Sequence, residues 1–100
     1  MSKILLFGGT GAMGVYLREE LAKRGDEVYI TSRATHTDSE HVHYLLGNAH
    51  EDSFAKKSIE HVRPDAIVDF LIYTTPVFNE RALWLPQSVK HYLFLSSYRV

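Results

Sequence analysis

The sequence predicts an α/β fold built on a parallel sheet, and two observations lead to this prediction. Short aliphatic and aromatic runs, typical of strands buried on both faces, alternate with segments whose apolar residues recur at a helical period. A glycine-rich turn joins the first run to the first helical segment. Because strands that alternate with helices form crossovers within one parallel sheet, we expect a doubly wound sheet in the order 3-2-1-4-5.

The first half of the chain shows this alternation clearly. Lys3–Phe7 is a short apolar run that stops at a glycine, which predicts a buried strand. Residues 12–24 carry apolar side chains one turn apart, which predicts an amphipathic helix with Gly25 as its left-handed cap. The next two strands are predicted at residues 28–31 and 42–46, with a polar loop at residues 32–40 between them.

The second half repeats the pattern. Residues 51–62 have a helical period and precede Pro64, so we expect a second helix that this proline ends. Residues 66–72 form an almost continuous apolar run, typical of a central parallel strand. The last two elements are a short helix at residues 76–85, with Phe78, Ala82 and Leu85 facing inward before Pro86, and a strand at residues 92–95.

Size and composition favour one domain with a small-molecule partner. The 100 residues are 45% apolar and carry 11 basic and 12 acidic side chains, for a net charge of −1. A chain of this length buries one core, and its charge gives no attraction to nucleic acid or to an anionic membrane. Cysteine is absent, which excludes disulfides and zinc–thiolate sites. The first apolar run is too short for a signal peptide or a membrane span, so we expect a cytoplasmic protein.

Gly8, Gly11 and Gly14 lie where the first predicted strand gives way to the first helix. The first glycine allows a sharp turn, the second lets backbone N–H groups approach a pyrophosphate, and the third lets the helix pack closely. The helix N-terminus adds N–H donors and a positive dipole end. A glycine turn without a ligand is the alternative. A nucleoside triphosphate loop is excluded, since no Lys-Ser or Lys-Thr pair follows, so the predicted ligand is a dinucleotide.

The segment ILLFGGTGAMG at residues 4–14 resembles the opening of extended short-chain dehydrogenases/reductases, the group of NAD-dependent sugar epimerases and dehydratases. Leu46-Gly47-Asn48 resembles the segment of that family that touches the adenine, although Asn48 stands where the family has Asp. Residues 70–72 are bulky where the family has a small residue. The resemblance implies a Rossmann-type NAD(P)-binding domain over residues 1–100, as a portion of a longer enzyme. It implies these cofactor contacts: Gly8, Thr10, Gly11, Ala12, Met13, Gly14 and Asn48.

The residues that end the second strand, Thr31-Ser32-Arg33, favour NADP over NAD. An acidic residue there would hold the ribose diol of NAD. An arginine instead pairs with a 2′-phosphate through two hydrogen bonds, and neighbouring hydroxyls satisfy the remaining oxygens. We therefore predict that Ser32 and Arg33 contact the cofactor. The alternative is that Arg33 is a solvated charge, in which case Asp38 is the only nearby acid that we can nominate to hold the diol.

The resemblance also bears on catalysis. Residues 89–97 resemble the family's fifth strand, and Ser97 corresponds to the serine that hydrogen-bonds the substrate oxygen. The family transfers a proton with a Tyr four residues before a Lys, and no tyrosine in this chain has a lysine at that spacing. We therefore expect the 100 residues to be inactive alone and a small-molecule substrate to bind through a missing C-terminal region. The edge left open at residues 92–95 would allow a homodimer.

The remaining polar residues give weaker signals. His41 and His43 have strand spacing, but no nearby acid completes a metal site with them, and His36 lies in the polar loop. We therefore interpret all three as solvated surface residues and predict no metal site. Asp69 ends a buried strand, where a carboxylate must be paired or wet. It either lines the ligand crevice or bonds a backbone group, and we favour the backbone bond.

Taken with the resemblance, these observations predict the NAD(P)-binding domain of an oxidoreductase or epimerase/dehydratase. Its reaction would be hydride transfer on a carbonyl or alcohol substrate, such as a nucleotide sugar. A non-catalytic NADP-sensing or binding protein of the same fold is the alternative. An RNA-binding relative is disfavoured by the charge balance.

Overall fold

The chain forms five strands and three α-helices in this computed structural model, which describes residues 2–8, 12–71 and 75–94, and a loop without a helix joins β2 to β3. The elements are β1 (Lys3–Phe7), α1 (Ala12–Lys23), β2 (Glu27–Ser32), β3 (Val42–Leu46), α2 (Asp52–Val62), β4 (Ala66–Asp69), α3 (Thr75–Ala82), a 3-10 helix (Pro86–Ser88) and β5 (His91–Phe94). Every strand pair is parallel, and the order is β3-β2-β1-β4-β5. The predicted fold class and strand order are confirmed.

β1 lies at the centre of the sheet and is covered on both faces. Successive side chains of a strand point to opposite faces, so Leu5 and Leu6 enter different parts of the core, and neither is exposed to solvent. Leu6 packs with Leu21 of α1, whereas Leu5 packs with Ala55 of α2. The sheet is therefore the middle of three layers, which explains why its strands read as nearly continuous apolar runs.

The end of α1 follows the predicted capping pattern. Gly25 has a φ of 87°, and its N–H donates to the Ala22 carbonyl at 3.0 Å. The N–H of Asp26 donates to the Leu21 carbonyl at 3.1 Å. These two bonds form a Schellman motif, in which a glycine in the left-handed conformation turns the chain away from the helix. This turn directs the chain into β2.

The fourth strand is shorter than predicted. It ends at Asp69 because the next free N–H, that of Leu71, donates at 3.0 Å to Oδ1 of Asp69 instead of continuing the ladder. The other carboxylate oxygen accepts the hydroxyl of Tyr92 at 2.6 Å. Asp69 is fully buried. The favoured interpretation of this residue, a bond to a backbone group, is therefore confirmed, and the tyrosine contact adds a tie to β5.

The inward face of α3 was predicted wrongly at one position. Ala82 is exposed, while Arg81 is buried together with Leu85. The apolar pattern could not identify Arg81, because an arginine is buried only where partners satisfy its donors. Pro86 begins the 3-10 helix that follows, where its fixed φ is tolerated. The side chain of Phe78 lies outside the described residues.

His41 and His43 were interpreted as solvated surface residues, but both are half-buried and share one acid as a partner. Parallel pairing places Val28 beside Val42, and this register brings Glu27 next to both histidines. One carboxylate oxygen bonds Nδ1 of His41, and the other bonds Nε2 of His43 at 2.7 Å. The carboxylates of Glu40 and Asp38 lie farther off, at 3.9 Å from His41 and 3.8 Å from His43. In the described part of the chain, no group of three or more His, Cys, Asp or Glu side chains could hold a metal ion.

We expect this cluster to make the stability of the fold depend on pH. The hydrogen bond to Glu27 raises the pKa of His41 from its ordinary 6.5, while those to His43 and His41 lower the pKa of Glu27 from 4.5. A raised histidine pKa stabilises the fold below pH 6.5, and this contribution is lost as pH rises through the folded-state pKa. The lowered pKa of Glu27 stabilises the fold above pH 4.5, and this contribution is lost as pH falls through the folded-state pKa.

The measurement is the free energy of unfolding in urea between about pH 5.5 and pH 8. The wild type should lose stability across this range, and His41→Asn should show a flatter dependence. Asparagine is chosen because His41 has a φ of 70°, which asparagine tolerates. His61→Asn, at an exposed position of α2, is the matched control and should keep the wild-type slope. Equal slopes in the wild type and His41→Asn would contradict the assignment.

Candidate dinucleotide site

A sharp turn follows the carboxyl end of β1 and is bonded to the neighbouring carboxyl end of β2. Gly8 follows β1 with a φ of 74°, and its N–H donates to Oγ1 of Thr31 at 2.9 Å. Thr31 is 1% exposed and Gly8 is half-buried, so this bond is partly shielded from solvent. A side-chain hydroxyl of β2 thus fixes the first residue of the glycine turn. The sequence analysis did not select Thr31, although its place in the triplet Thr31-Ser32-Arg33 was a signal.

Gly8 is also required by its neighbour across the sheet. A Cβ at this position would lie 2.8 Å from Cδ2 of Leu71, the residue that follows β4 by two positions. The bulky segment noted in the sequence therefore packs directly against the glycine turn. Because Leu71 takes this space, Gly8 meets two constraints at once, a left-handed backbone and a close side-chain contact.

A cavity of about 200 Å³ opens beside this turn. Its walls come from the ends of β1, β2, β3 and β4, and its lining residues are Gly8, Thr31, Ser32, Arg33, Gly47, Asn48, Ala49, His50 and Leu71. Sites that enclose a drug-sized ligand are larger, roughly 300–1,000 Å³. The described cavity therefore matches part of a dinucleotide, at the edge of the sheet where open α/β folds bind ligands.

Four of the predicted contact residues meet in this cavity: Gly8, Ser32, Arg33 and Asn48. Oγ of Ser32 accepts the N–H of Ala34 at 3.1 Å, which holds the chain as it leaves β2. Arg33 is exposed at the rim. The sequence analysis missed Ala49, His50 and Leu71 as lining residues, because an alanine, a loop histidine and a strand leucine carry no ligand signal of their own.

The other predicted contacts are described only in part. Thr10, Gly11 and Ser97 lie outside the described residues. Ala12 and Met13 are the first residues of α1, and only their backbone is described. Gly14 is buried in the first turn of the helix.

The loop between β3 and α2 forms one wall of the cavity. A Cβ at Gly47 would overlap the ring of Phe54, so only a glycine lets the chain pass this close to α2. Oδ1 of Asn48 accepts the N–H of His50 at 3.0 Å, and the Asn48 carbonyl accepts the N–H of Glu51 at 3.0 Å. These bonds form a tight turn that presents residues 48–50 to the cavity.

A larger groove lies elsewhere. It has a volume of about 590 Å³ between α1 and the segment at residues 37–44, and charges of both signs line it, including Arg18, Glu19, Lys23 and Glu40. No glycine lines it, and it lies at the amino end of β3, away from the carboxyl ends of the strands. Volume alone would favour this groove, but the geometry of the strand ends favours the smaller cavity.

The chain belongs to the NAD dependent epimerase/dehydratase family, because the model of that family matches residues 4–81. The match begins in β1, passes through the glycine turn and the β3–α2 loop, and ends at Arg81 in α3. It therefore includes every residue that lines the small cavity. The family predicted from the sequence is confirmed.

Solved structures show the same fold. The enzyme WbmH from Bordetella bronchiseptica, solved with NAD⁺, is 22% identical over 75% of this chain and 27% of that chain, with a TM-score of 0.64. An epimerase from Methanothermobacter thermautotrophicus is 21% identical over 93% of this chain and 34% of that chain, with a TM-score of 0.67. A GalE-like L-threonine dehydrogenase from Cupriavidus necator is 18% identical over 86% and 29%, with a TM-score of 0.62.

The chain spans about a quarter to a third of the length of these three proteins. No curated protein matches the sequence. Among the helices that the structure describes, none has the length and apolar character needed to cross a membrane.

Proposed function

We propose that this chain is the NAD(P)-binding domain of an oxidoreductase or epimerase/dehydratase that acts by hydride transfer. The observation that carries the proposal is the cavity at the end of β1, where Gly8 turns in the left-handed conformation beside Thr31 and Leu71. A bound nicotinamide cofactor would supply the hydride chemistry, and the protein would supply its position. Family membership supports this function.

The proposed roles of the residues follow from their places around the turn. Gly8, Gly11 and Gly14, with Thr10, Ala12 and Met13, would bind the pyrophosphate at the start of α1. Asn48 would bond the adenine edge from the β3–α2 loop. Ser32 and Arg33 would hold a 2′-phosphate, so we propose NADP rather than NAD. The cofactor named for the neighbour WbmH is NAD⁺, which supports a nicotinamide dinucleotide in general.

The proposal extends to the parts of the reaction that this chain would share with a longer enzyme. Ser97 would bond the oxygen of a small-molecule carbonyl or alcohol substrate. A nucleotide sugar is the proposed class, supported by the enzyme WbmG from Bordetella bronchiseptica, which was solved with NAD and UDP. A further region would supply the substrate site and the Tyr-Lys pair. A cytoplasmic location and a homodimer through β5 stay predictions.

Binding of the cofactor by the wild type and by Thr31→Val tests the central claim. Valine keeps the shape of the side chain but removes the oxygen that accepts the Gly8 N–H, and an unpaired buried donor costs about 1–3 kcal/mol. We expect titration calorimetry to show binding by the wild type and affinity about tenfold weaker for the variant.

Thr37→Val, in the exposed loop, is the matched control and should bind as the wild type does. A wild type that binds neither NAD nor NADP would refute the proposed function. The non-catalytic alternative would be favoured if a protein that contains this domain bound NADP but transferred no hydride to any carbonyl substrate.

A further inference from the structure

Arg81 is the most deeply buried basic side chain in the described part of the chain, with 1% of its surface exposed. It lies in the last turn of α3, where an amphipathic helix facing the core would have an apolar residue. A buried guanidinium is unfavourable unless hydrogen bonds compensate its lost hydration. Its partners therefore indicate what the charge does in this position.

Two of these partners lie in the wall of the proposed cofactor cavity or directly next to it. Nε of Arg81 donates to Oδ1 of Asp52 at 2.9 Å, and a terminal nitrogen donates to the carbonyl oxygen of Ala49 at 2.6 Å. Asp52 is the first residue of α2, and Ala49 lines the cavity between Asn48 and His50. We call these two hydrogen bonds the Arg81 bridge.

The Arg81 bridge adds a long-range polar tie to a loop that also packs against the core through Ala49. The bonds within the loop, from His50 and Glu51 to Asn48, are local and set its shape. The bond from Arg81 to Ala49 joins residues 32 positions apart and is buried, so it sets where the loop sits relative to α3. The side chain of Asp52 is 42% exposed, and its carboxylate holds the Arg81 guanidinium at the start of α2.

We infer that Arg81 is a positioning residue for the cofactor. By holding the Ala49 carbonyl, it fixes Asn48 and His50 in the cavity wall. This inference rests on the proposed function. Lysine could not replace Arg81 fully, because one ammonium on a flexible stem does not reproduce the planar fork that meets Asp52 and Ala49 at once.

Trp84 provides a natural probe of the bridge. It is the only tryptophan of the chain, and the Arg81 guanidinium carbon lies 5.7 Å from its ring centroid. The ammonium of Lys56 lies 4.8 Å from the same ring. Because nearby cations interact with the indole ring, a shift of the guanidinium should alter the fluorescence of Trp84.

The first test measures amide hydrogen exchange in the loop without any ligand. We expect the N–H groups of His50 and Glu51 to exchange about tenfold faster in Arg81→Met than in the wild type, because the loop opens locally. The N–H groups of β1 should keep their wild-type rates. Arg63→Met is the matched control, since Arg63 is an exposed arginine at the end of α2. Unchanged exchange of His50 and Glu51 in a folded Arg81→Met would overturn the inference.

The second test measures binding of the two halves of the cofactor. A loop that is correctly placed in only about a tenth of the molecules weakens binding about tenfold. We therefore expect Arg81→Met to bind adenosine monophosphate about tenfold more weakly than the wild type, and nicotinamide mononucleotide equally well. A uniform loss for both halves would indicate a purely structural role and would overturn the inference.

Two further measurements cover the case in which Arg81→Met does not fold. Asp52→Asn removes the charge from one end of the bridge at a partly exposed site and should weaken adenosine monophosphate binding about threefold. In the wild type, NADP should change the fluorescence of Trp84, and Asp52→Asn should reduce that change. Wild-type constants and an unchanged signal in Asp52→Asn would overturn the inference. Failure of the wild type to bind either NAD or NADP would refute the proposed function. The exchange measurement needs no ligand, so it would still decide the role of the bridge, on Asp52→Asn if Arg81→Met does not fold.

Discussion

Gly8→Val should destabilise the fold by about 2–3 kcal/mol and abolish measurable dinucleotide binding. Two physical effects add at this position. A non-glycine residue with a left-handed backbone costs about 1–2 kcal/mol, and a β-branched one is the least tolerated. The new Cβ would also lie 2.8 Å from Cδ2 of Leu71, so the end of this side chain must shift, which adds about 1 kcal/mol. The measurements are urea unfolding and titration calorimetry with NADP.

A second glycine of the chain separates these two effects. Gly25 has a φ of 87°, but a Cβ there would meet no atom within 4 Å. Gly25→Val should therefore lose only the stability that the left-handed backbone costs. It should bind NADP normally, because Gly25 lies near the amino ends of the strands, opposite to the cavity. Adding Leu71→Ala to Gly8→Val should restore the stability that is lost through the steric clash, because it removes Cδ2 of Leu71. Equal losses for the two glycine variants would show that Leu71 does not constrain the turn.

Arg33→Ala should reduce the preference for NADP over NAD by about ten- to a hundredfold. A charge-assisted hydrogen bond to a 2′-phosphate contributes about 1.5–3 kcal/mol, which corresponds to that ratio. Affinity for NAD should be nearly unchanged, because NAD has no phosphate there. Ser32→Asp should go further, since the carboxylate accepts from the ribose diol and repels the phosphate. Its oxygens could also keep the bond that Ser32 accepts from Ala34.

Dissociation constants for both cofactors on the wild type and the two variants provide the measurement. Arg24→Ala, at an exposed arginine after α1, is the control and should keep the wild-type preference. A wild type that already prefers NAD would show that Arg33 is a surface charge. Asp38 would then be a poor substitute, because its carboxylate accepts the N–H of Tyr44 at 2.9 Å and does not line the cavity. The diol would need another partner.

The order of the sheet could be predicted from the sequence because β1 and β4 are short apolar runs and the helical periods of α1 and α2 separate the strands. β1 and β3 have the predicted boundaries. The end of β4 differed, since apolarity continues through Leu71 while the hydrogen bonds do not. Only the structure shows that the Asp69 side chain takes the N–H that the ladder would use.

The residues of the site could be predicted only where the residue type and its position along the chain indicate a role. Glycines at a strand–helix junction and an arginine after β2 do so. Arg81 and Glu27 do not, because their importance depends on partners far along the chain: Ala49 for the first, and His41 and His43 for the second. Contacts of this kind are fixed by strand register and helix packing, which a single sequence does not state.

The walls of the small cavity come from four separated parts of the chain, near Gly8, Arg33, Asn48 and Leu71. A ligand that fills it would therefore bind the folded state and not the unfolded chain, in which these parts are far apart. Such a ligand stabilises the fold by RT ln(1 + [L]/Kd), about 2.7 kcal/mol at a concentration of about 100 times Kd. Since a small domain is stable by only about 5–15 kcal/mol, the cellular supply of cofactor would set how long this protein survives proteolysis.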